Sequence, residues 1–282
     1  MTYQVTMDFI NDILQYSYLS NAVIACILSG ITCGIIGTYI VARRLVFLCG
    51  GITHASFGGL GIAFYLGANP ILGAMIFAIL SALGIEWSTS HAKIRQDSAI
   101  GMVWGAGMAI GALFIALRPG YTSGDMASFL FGSILTVTNT DIIALAALSA
   151  FLILGTLLYH RKVMYAAFDP AFASAAGVKV KAISYIMAVI TAITIVLSIR
   201  VMGIVLLISL FTIPVVAANM LFKDYRRIAI FAVATAIASS VTGIVFSYHA
   251  EVPSGPAIIF ILSIVILIIK LLSLWIVRRK HL

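Results

Sequence analysis

Residues 182–222, AISYIMAVITAITIVLSIRVMGIVLLISLFTIPVVAANMLF, are almost entirely apolar, and Arg200 is their one charged residue. About 20 apolar residues in a helix cross the hydrocarbon core of a bilayer, so this stretch is long enough for two spans. The whole chain of 282 residues is similar, with 62% hydrophobic and 9% charged residues. A soluble domain has about a quarter charged residues. The composition predicts an all-α polytopic membrane protein and disfavours a soluble enzyme, a disordered regulator or a nucleic-acid-binding domain.

Further apolar runs predict about 8–9 transmembrane helices in total, because each is about as long as a span requires. Their predicted ranges are 19–42, 45–66, 71–88, 99–117, 142–159, 182–199, 201–221, 228–248 and 257–277. The shorter run Phe129–Val137 cannot span the bilayer and is interpreted as a re-entrant segment. The 23 glycines recur within the apolar runs, which favours close packing of neighbouring helices.

The basic residues predict the orientation in the membrane. The positive-inside rule places loops rich in Lys and Arg in the cytoplasm. It therefore predicts an N-terminus outside and a C-terminus inside. Most of the 17 basic residues then lie on the cytoplasmic side, namely Arg43, Arg44, Lys93, Arg95, Arg161, Lys162, Lys179, Lys181, Lys223, Arg226, Arg227, Arg278, Arg279 and Lys280.

His54 is an ionisable residue inside the second predicted span, in CGGITHASFGGLGIAF. Polar side chains at membrane depth are costly and mark functional sites by default. Neutral imidazole is also a common ligand of zinc and similar metals. Two interpretations stay open: a metal ligand, or a histidine hydrogen-bonded to neighbouring backbone, to Thr53 or to Ser56.

His249 and Glu251 form a second candidate site, in SYHAEVPSGPAIIF at the end of the eighth predicted span. The sequence that follows breaks the helix, and broken helices at membrane depth often build binding sites in transporters. The breaking residues are Pro253, Gly255 and Pro256. The alternative is an ordinary polar loop at the membrane surface.

Two further positions bear on helix geometry. Pro214 is predicted to kink or interrupt the seventh span, with either a gating or a packing role. Glu86 and the adjacent Trp87 end the third span and are typical of interfacial anchors.

Residues 163–181 contain a different signal. Asp169 and Pro170 are a typical helix start, the alanines from Ala171 onward favour helix, and Gly177 is a typical stop. They predict a helix of about seven residues, too short to be stable alone. It either packs on its own bundle or docks on a cytoplasmic partner.

Sequence motifs of soluble catalysis are missing from the chain. It contains no GxxxxGK[ST] loop, so it is not expected to hydrolyse ATP, and it contains no HExxH or GxSxG. We therefore expect a transport subunit rather than an enzyme.

Several of these segments together resemble the permease subunits of zinc/manganese/iron-type metal ABC transporters. The similar segments follow in the same order as in that family: ARRLVF (42–47) with THASFGGLGIAF (53–64), SAIGMVWGAGMAIG (98–111), FDPAFASAAGVKV (168–180), and LLISLFTIPVVAAN (206–219) with VPSGPAI (252–258). The resemblance covers residues 20–277, which is most of the chain.

The resemblance implies a homodimeric pore in a bacterial cytoplasmic membrane, cytoplasmic ATP-binding subunits and an extracytoplasmic metal-binding protein. The transported divalent metal ion is then the substrate, with no permanently bound cofactor and ATP used by the partner subunit. By position, His54 matches the intramembrane histidine of the family, and Glu251 matches an acidic residue before its P-x-GP turn. Phe168, Asp169, Pro170 and Gly177 match the segment that couples the permease to the ATPase.

The chain departs from the family pattern at two positions. Gly50 stands one helical turn before His54, where the family commonly has Asp, and this removes an oxygen ligand. Ala171 stands where the coupling helix usually has Glu.

We expect residues 1–282 to form one transmembrane permease domain that imports zinc, manganese or iron. Two alternatives remain. One is an ABC permease for a metal chelate of the siderophore or vitamin B12 type, and the other is an ATP-independent secondary carrier. A membrane enzyme or assembly factor is disfavoured because no paired catalytic residues are present.

Overall fold

The computed structural model describes residues 11–13, 15–117 and 137–280, and over these residues the fold is all-α without strands. The predicted re-entrant segment lies outside the described residues, apart from Val137. The helices, in chain order, are α1 (Ser17–Ala42), α2 (Val46–Tyr65), α3 (Pro70–Ser90), α4 (Gln96–Ala116), α5 (Asn139–Phe168), α6 (Pro170–Ala175), α7 (Val180–Leu221), α8 (Tyr225–Ala250) and α9 (Ser254–Lys280).

Within the described ranges, eight of these helices are long and apolar enough to cross a membrane, and α6 is the exception. This confirms the predicted polytopic all-α fold. An unbroken helix with the 42 residues of α7 would be about 63 Å long, roughly twice the hydrocarbon core. However, α7 is interrupted at Gly203, which has φ 73° and ψ 170°. The two predicted spans, 182–199 and 201–221, therefore correspond to the two parts of α7.

Helix α5 extends nine residues beyond the predicted end of its span at residue 159. The added residues, HRKVMYAAF, are partly polar, and a helix does not need apolar residues once it leaves the lipid. It ends at Phe168 because Pro170 has no amide hydrogen with which to continue the hydrogen-bond ladder.

The helices pack into two compact units, whose boundaries fall inside α1, α5 and α7. The first unit contains described residues up to 38, 137–158 and 201 onward, and the second contains 39–117 and 159–200. The assignment of residues 1–282 to one permease domain stays a prediction.

In the first unit, α1 packs closely against α8. A Cβ atom on Gly34 would lie 2.8 Å from the amide nitrogen of Val233, so this crossing requires glycine. Near the start of α1, the Asn21 amide donates to the Asn139 side-chain oxygen at 3.2 Å. Ser149 of α5 donates to the carbonyl of Leu28 at 3.3 Å, which joins α5 to α1.

In the second unit, α2 packs along both α3 and α4. Two glycine pairs allow backbone-to-backbone contact at these crossings. A Cβ atom on Gly59 would overlap the carbonyl oxygen of Gly73 in α3, and one on Gly61 would lie 2.7 Å from the Cα of Gly111 in α4. These contacts confirm the close packing that the glycine pattern predicts, and they fix α2, which carries His54.

We expect Gly59→Ala to destabilise the protein by about 2 kcal/mol, because its methyl group would force α2 away from α3. Thermal unfolding of the purified protein in detergent measures the effect. Gly84→Ala is the matched control, since Gly84 lies in α3 with no atom within 4 Å of its added Cβ. Equal melting temperatures for the two variants would contradict the role assigned to this contact.

Candidate functional site

His54 is half-buried in α2 and faces Trp104 of α4. The two rings are stacked, with centroids 4.4 Å apart and an angle of 5° between the planes. Because the indole covers one face of the imidazole, it limits how the histidine ring can rotate. The stack therefore holds the two ring nitrogens of His54 in fixed directions.

The Nδ1 atom of His54 is buried and has no hydrogen-bond partner among the described residues. Ser56 is not its partner, because the Ser56 hydroxyl donates to the Thr53 carbonyl at 2.6 Å. The Thr53 hydroxyl is itself buried and unpaired. Leaving a buried polar atom unpaired costs about 1–3 kcal/mol. In the Nε2-protonated tautomer, Nδ1 presents the lone pair that a metal ligand needs.

Gly50 lies one turn before His54 in α2 and is buried, as is Cys49 beside it. Neither side chain has an oxygen atom that could bind a metal ion together with His54. Over the residues that the structure describes, no three His, Cys, Asp or Glu side chains come together as a metal site. The role of His54 as a metal ligand therefore stays a prediction that rests on its unpaired nitrogen.

Glu251 ends α8 in the left-handed conformation, with φ 54° and ψ 36°. A side chain rarely adopts this backbone geometry, and it costs about 1 kcal/mol or more. The Ser247 hydroxyl holds the turn by donating to the carbonyl of Val252 at 2.6 Å. Helices often end in this conformation, and Arg44 and Lys93 also have positive φ, so the geometry marks the end of α8 and leaves the Glu251 side chain exposed.

His249 is also exposed and lies two residues before Glu251 in the last turn of α8. Its ring meets the Tyr248 ring edge-on, with centroids 5.0 Å apart. The Tyr248 hydroxyl donates to the carboxylate of Asp12. Asp12 is thus joined to the end of α8 through Tyr248, the residue before His249.

The predicted helix-breaking residues come directly after Glu251 in the chain. Helix α9 begins at Ser254, after a gap of three residues, and Pro253 accepts a hydrogen bond from Ala257 through its carbonyl at 3.2 Å. Gly255 and Pro256 lie in the first turn of α9. In α7, by contrast, the backbone stays helical through Pro214, which is buried, and the interruption lies at Gly203. A gating role for Pro214 stays a prediction.

Helix α6 is the short helix that the sequence predicts, and with six residues it is close to the expected length of about seven. Asp169 caps it by accepting a hydrogen bond from the Phe172 amide at 2.9 Å, and Pro170 occupies its first turn. At the other end, Gly177 has φ 77°, and the Val178 amide donates to the Ala173 carbonyl at 2.9 Å. This pattern is a Schellman motif.

The surface of this short helix is unusually apolar. Phe168 is 60% exposed and Phe172 is 56% exposed, while Ala173 is buried against the protein. The Phe172 ring meets Tyr165 edge-on, with centroids 5.7 Å apart. Ala171 is exposed beside them. Helix α6 therefore packs on its own unit through Ala173 and the edge of Phe172, and a second exposed phenylalanine, Phe168, lies just before it at the end of α5.

Two residues in these groups were not predicted from the sequence. Trp104 gives no signal of its own because tryptophan is common in membrane helices, and only the fold shows that it stacks on His54. Asp12 lies far from Tyr248 in the chain, so no local pattern links them.

The sequence and the fold were compared with those of known proteins. The profile described as the ABC 3 transport family matches residues 15–273. The manganese transport system membrane protein MntC of Halalkalibacterium halodurans is 32% identical over 255 residues, which cover 90% of this chain and 87% of that protein. The probable iron transport system membrane protein of Haemophilus influenzae is 28% identical, over 90% of this chain and 93% of that protein.

A solved structure has the same fold. The complex described as PsaBC from Streptococcus pneumoniae with a Fab contains a chain that superposes with a TM-score of 0.83 and 26% identity. The match covers 94% of this chain and 95% of that chain.

Proposed function

The chain belongs to the ABC 3 transport family, and we propose that it is the membrane permease of an importer that moves a divalent transition-metal ion into the cytoplasm. Manganese, zinc and iron are the candidate ions. The observation that carries the choice of substrate is His54, an imidazole with a buried, unpaired nitrogen inside a helix long enough to span the membrane. The names of the manganese and iron relatives support the same substrate class.

His54 is the proposed ligand within the membrane, and Glu251 with His249 is the proposed entry site at the outer surface. An imidazole and a carboxylate suit first-row divalent metals, but they do not distinguish zinc from manganese or iron. A transport site must release its ion as well as bind it. The small number of ligands at each place is therefore consistent with transport.

Substitutions at Glu251 separate a ligand role from a capping role. We expect Glu251→Gly to raise stability by about 1 kcal/mol, because glycine adopts the left-handed conformation without strain. The same variant should lower metal uptake roughly tenfold, since a metal site loses one of its few ligands. Thermal unfolding and uptake into vesicles measure the two effects.

Glu251→Gln is the matched variant, because it keeps the size and the backbone strain and removes only the charge. It should transport as poorly as Glu251→Gly without the gain in stability. Normal uptake by Glu251→Gln would show that the carboxylate has no role in transport.

Residues 163–181 are the proposed coupling segment. We expect ATP-driven movement of a separate ATP-binding subunit to reach the membrane helices through α6. The exposed Phe168 at the end of α5 and Phe172 in α6 support this role, because exposed aromatic side chains are suited to fill a pocket on a partner. The conformation of Asp169 and Gly177 fixes the position of the helix that carries them.

The proposed assembly is a homodimer of this chain with two cytoplasmic ATP-binding subunits and an extracytoplasmic metal-binding protein, in a bacterial cytoplasmic membrane. The basic residues support a C-terminus inside and an N-terminus outside. In this orientation α6 lies in the cytoplasm and Glu251 lies outside.

Uptake by the reconstituted complex tests the substrate class. Proteoliposomes that contain the chain and its ATP-binding subunit, with the binding protein added outside, are offered free manganese, zinc or iron and, separately, an iron–siderophore chelate. The proposal predicts ATP-dependent uptake of at least one free ion. Uptake of the chelate alone would favour a chelate permease, and metal uptake without the ATP-binding subunit would favour a secondary carrier.

A further inference from the structure

Four polar residues meet where α1, α3 and α7 end or begin in the second unit. Tyr39 lies in the last turn of α1, Arg43 follows it, Glu86 lies near the end of α3 and Ser184 near the start of α7. We call these four residues the polar cluster. Tyr39 and Ser184 are buried, and Arg43 and Glu86 are half-buried. Glu86 is therefore more than the interfacial anchor that its sequence position suggests.

The side chains of the polar cluster interact with one another. The Ser184 hydroxyl lies next to both Tyr39 and Glu86. Arg43 also lies next to Tyr39, and its positive charge attracts the Glu86 carboxylate. The cluster therefore places a positive charge, a carboxylate and a buried hydroxyl together where α1, α3 and α7 meet.

Arg43 also reaches α5. Its Nη1 atom donates to the carbonyl oxygen of Ala166 at 3.3 Å. In a continuing helix that carbonyl would accept from the amide of residue 170, but residue 170 is proline and has no amide hydrogen. Arg43 thus supplies the donor that Pro170 lacks, and its positive charge lies at the negative end of the α5 dipole.

The Arg43 side chain is incompletely paired. The Nε atom of Arg43 is buried without a hydrogen-bond partner among the described residues. A partly buried charge with an unpaired N–H group costs free energy, and apolar residues of similar size often replace such charges without loss of stability. The contacts of Arg43 therefore point to a role other than stabilising the fold.

The residues around Arg43 lie on both sides of α6 in the chain. Ala166 comes three residues before the Asp169 cap, and Ser184 follows Gly177 in the first turns of α7. We propose that Arg43 is a positioning residue that transmits displacement of α6 to α1 and α3. This inference rests on the proposed coupling role of residues 163–181.

The transmission follows from the lengths and contacts of the helices. Helix α6 has six residues and only Asp169 separates it from α5, so displacement of α6 reaches the last turn of α5. The Ala166 carbonyl in that turn accepts the hydrogen bond from the Arg43 guanidinium. Arg43 belongs to the end of α1 and attracts Glu86 on α3, so both helices respond.

The test is the number of metal ions imported per ATP hydrolysed by the reconstituted complex with its binding protein. Arg43→Met keeps an unbranched stem that reaches about as far as Nε of arginine, and it removes the charge and the donors. We expect metal uptake per ATP to fall roughly tenfold, in the range by which residues between coupled sites alter their coupling. Assembly with the ATP-binding subunit and its basal ATP hydrolysis should stay within about twofold of wild type.

Arg44→Met is the matched control. Arg44 is the neighbouring arginine, is exposed and lies outside the polar cluster, so the same loss of charge should leave uptake per ATP unchanged. Equal uptake per ATP in Arg43→Met and Arg44→Met would overturn the inference. If Arg43→Met does not fold, Arg43→Lys tests the inference instead. Lysine keeps the charge but replaces the branched guanidinium by a single ammonium nitrogen. It should then lower uptake per ATP about threefold, and a normal value would overturn the inference.

The failure of the proposed function has a different signature. A wild-type complex that hydrolyses ATP and imports no metal would overturn the metal-importer proposal itself. Wild-type import together with normal coupling in the Arg43 variants would overturn only the role of Arg43.

Discussion

Replacing His54 by alanine is expected to lower the initial rate of ATP-dependent metal uptake by about 100-fold. Residues that only support a metal ligand change affinity by about 10–100-fold when they are replaced, and a direct ligand should matter at least as much. The described part of the chain offers no three-ligand group that could compensate. The rate is measured in proteoliposomes that contain the permease and its ATP-binding subunit.

His91→Ala is the matched control for this prediction. His91 also stacks on a tryptophan, Trp87, with ring centroids 5.9 Å apart, but it is exposed at the end of α3. Its loss should leave uptake unchanged. If the His54 and His91 variants import metal at the same rate, His54 is a packing residue and the proposed path is wrong.

The second large effect is expected at the coupling helix. Phe172→Glu should weaken binding of the ATP-binding subunit by at least about 30-fold, since a buried aromatic anchor typically contributes 2 kcal/mol or more to an interface. Phe172 is 56% exposed, so the substitution should not unfold the permease. Co-purification and titration of the detergent-solubilised permease with the ATP-binding subunit measure the affinity.

Ala171→Glu is the control for the added charge. It places the same carboxylate on the neighbouring residue of α6, which is also exposed. The negative charge lies in the first turn of α6, where helices tolerate it well. The metal ABC permeases that this sequence resembles usually have Glu at this position. Binding should therefore be normal or tighter. Equal weakening by both substitutions would indicate simple charge repulsion and would contradict the role of Phe172 as an anchor.

The coupling helix shows how much local sequence can predict. Its cap at Asp169, its first-turn Pro170 and its stop at Gly177 act within one or two turns, so the residues alone define where α6 begins and ends. The spans were predictable for a similar reason, because the length of an apolar run is set by the thickness of the bilayer.

Contacts between distant residues were not predictable. His54 and Trp104 lie on different helices, and they stack because α2 and α4 approach closely at their glycines. From the sequence, Arg43 is one of many arginines that are predicted to be cytoplasmic. Only the fold places it beside Ala166 and Glu86. A sequence pattern reports periodicity and local signals, whereas these pairs depend on how the helices cross.

The interruption of α7 was only partly predictable from the sequence. The boundary between the two spans was expected next to Arg200, and the structure places it three residues away at Gly203. Pro214 carried the stronger local signal, yet the backbone remains helical there. A helix in a packed bundle accommodates a proline because neighbouring groups can satisfy the carbonyl that it frees.

Manganese uptake by the reconstituted complex tests most directly whether this chain is an ATP-driven permease, when it is measured with an active ATP-binding subunit and with one that binds but cannot hydrolyse ATP. We expect manganese to accumulate in the vesicles only with the active subunit. Equal accumulation with both subunits would show that the chain carries the ion without ATP, and it would contradict an ATP-driven permease.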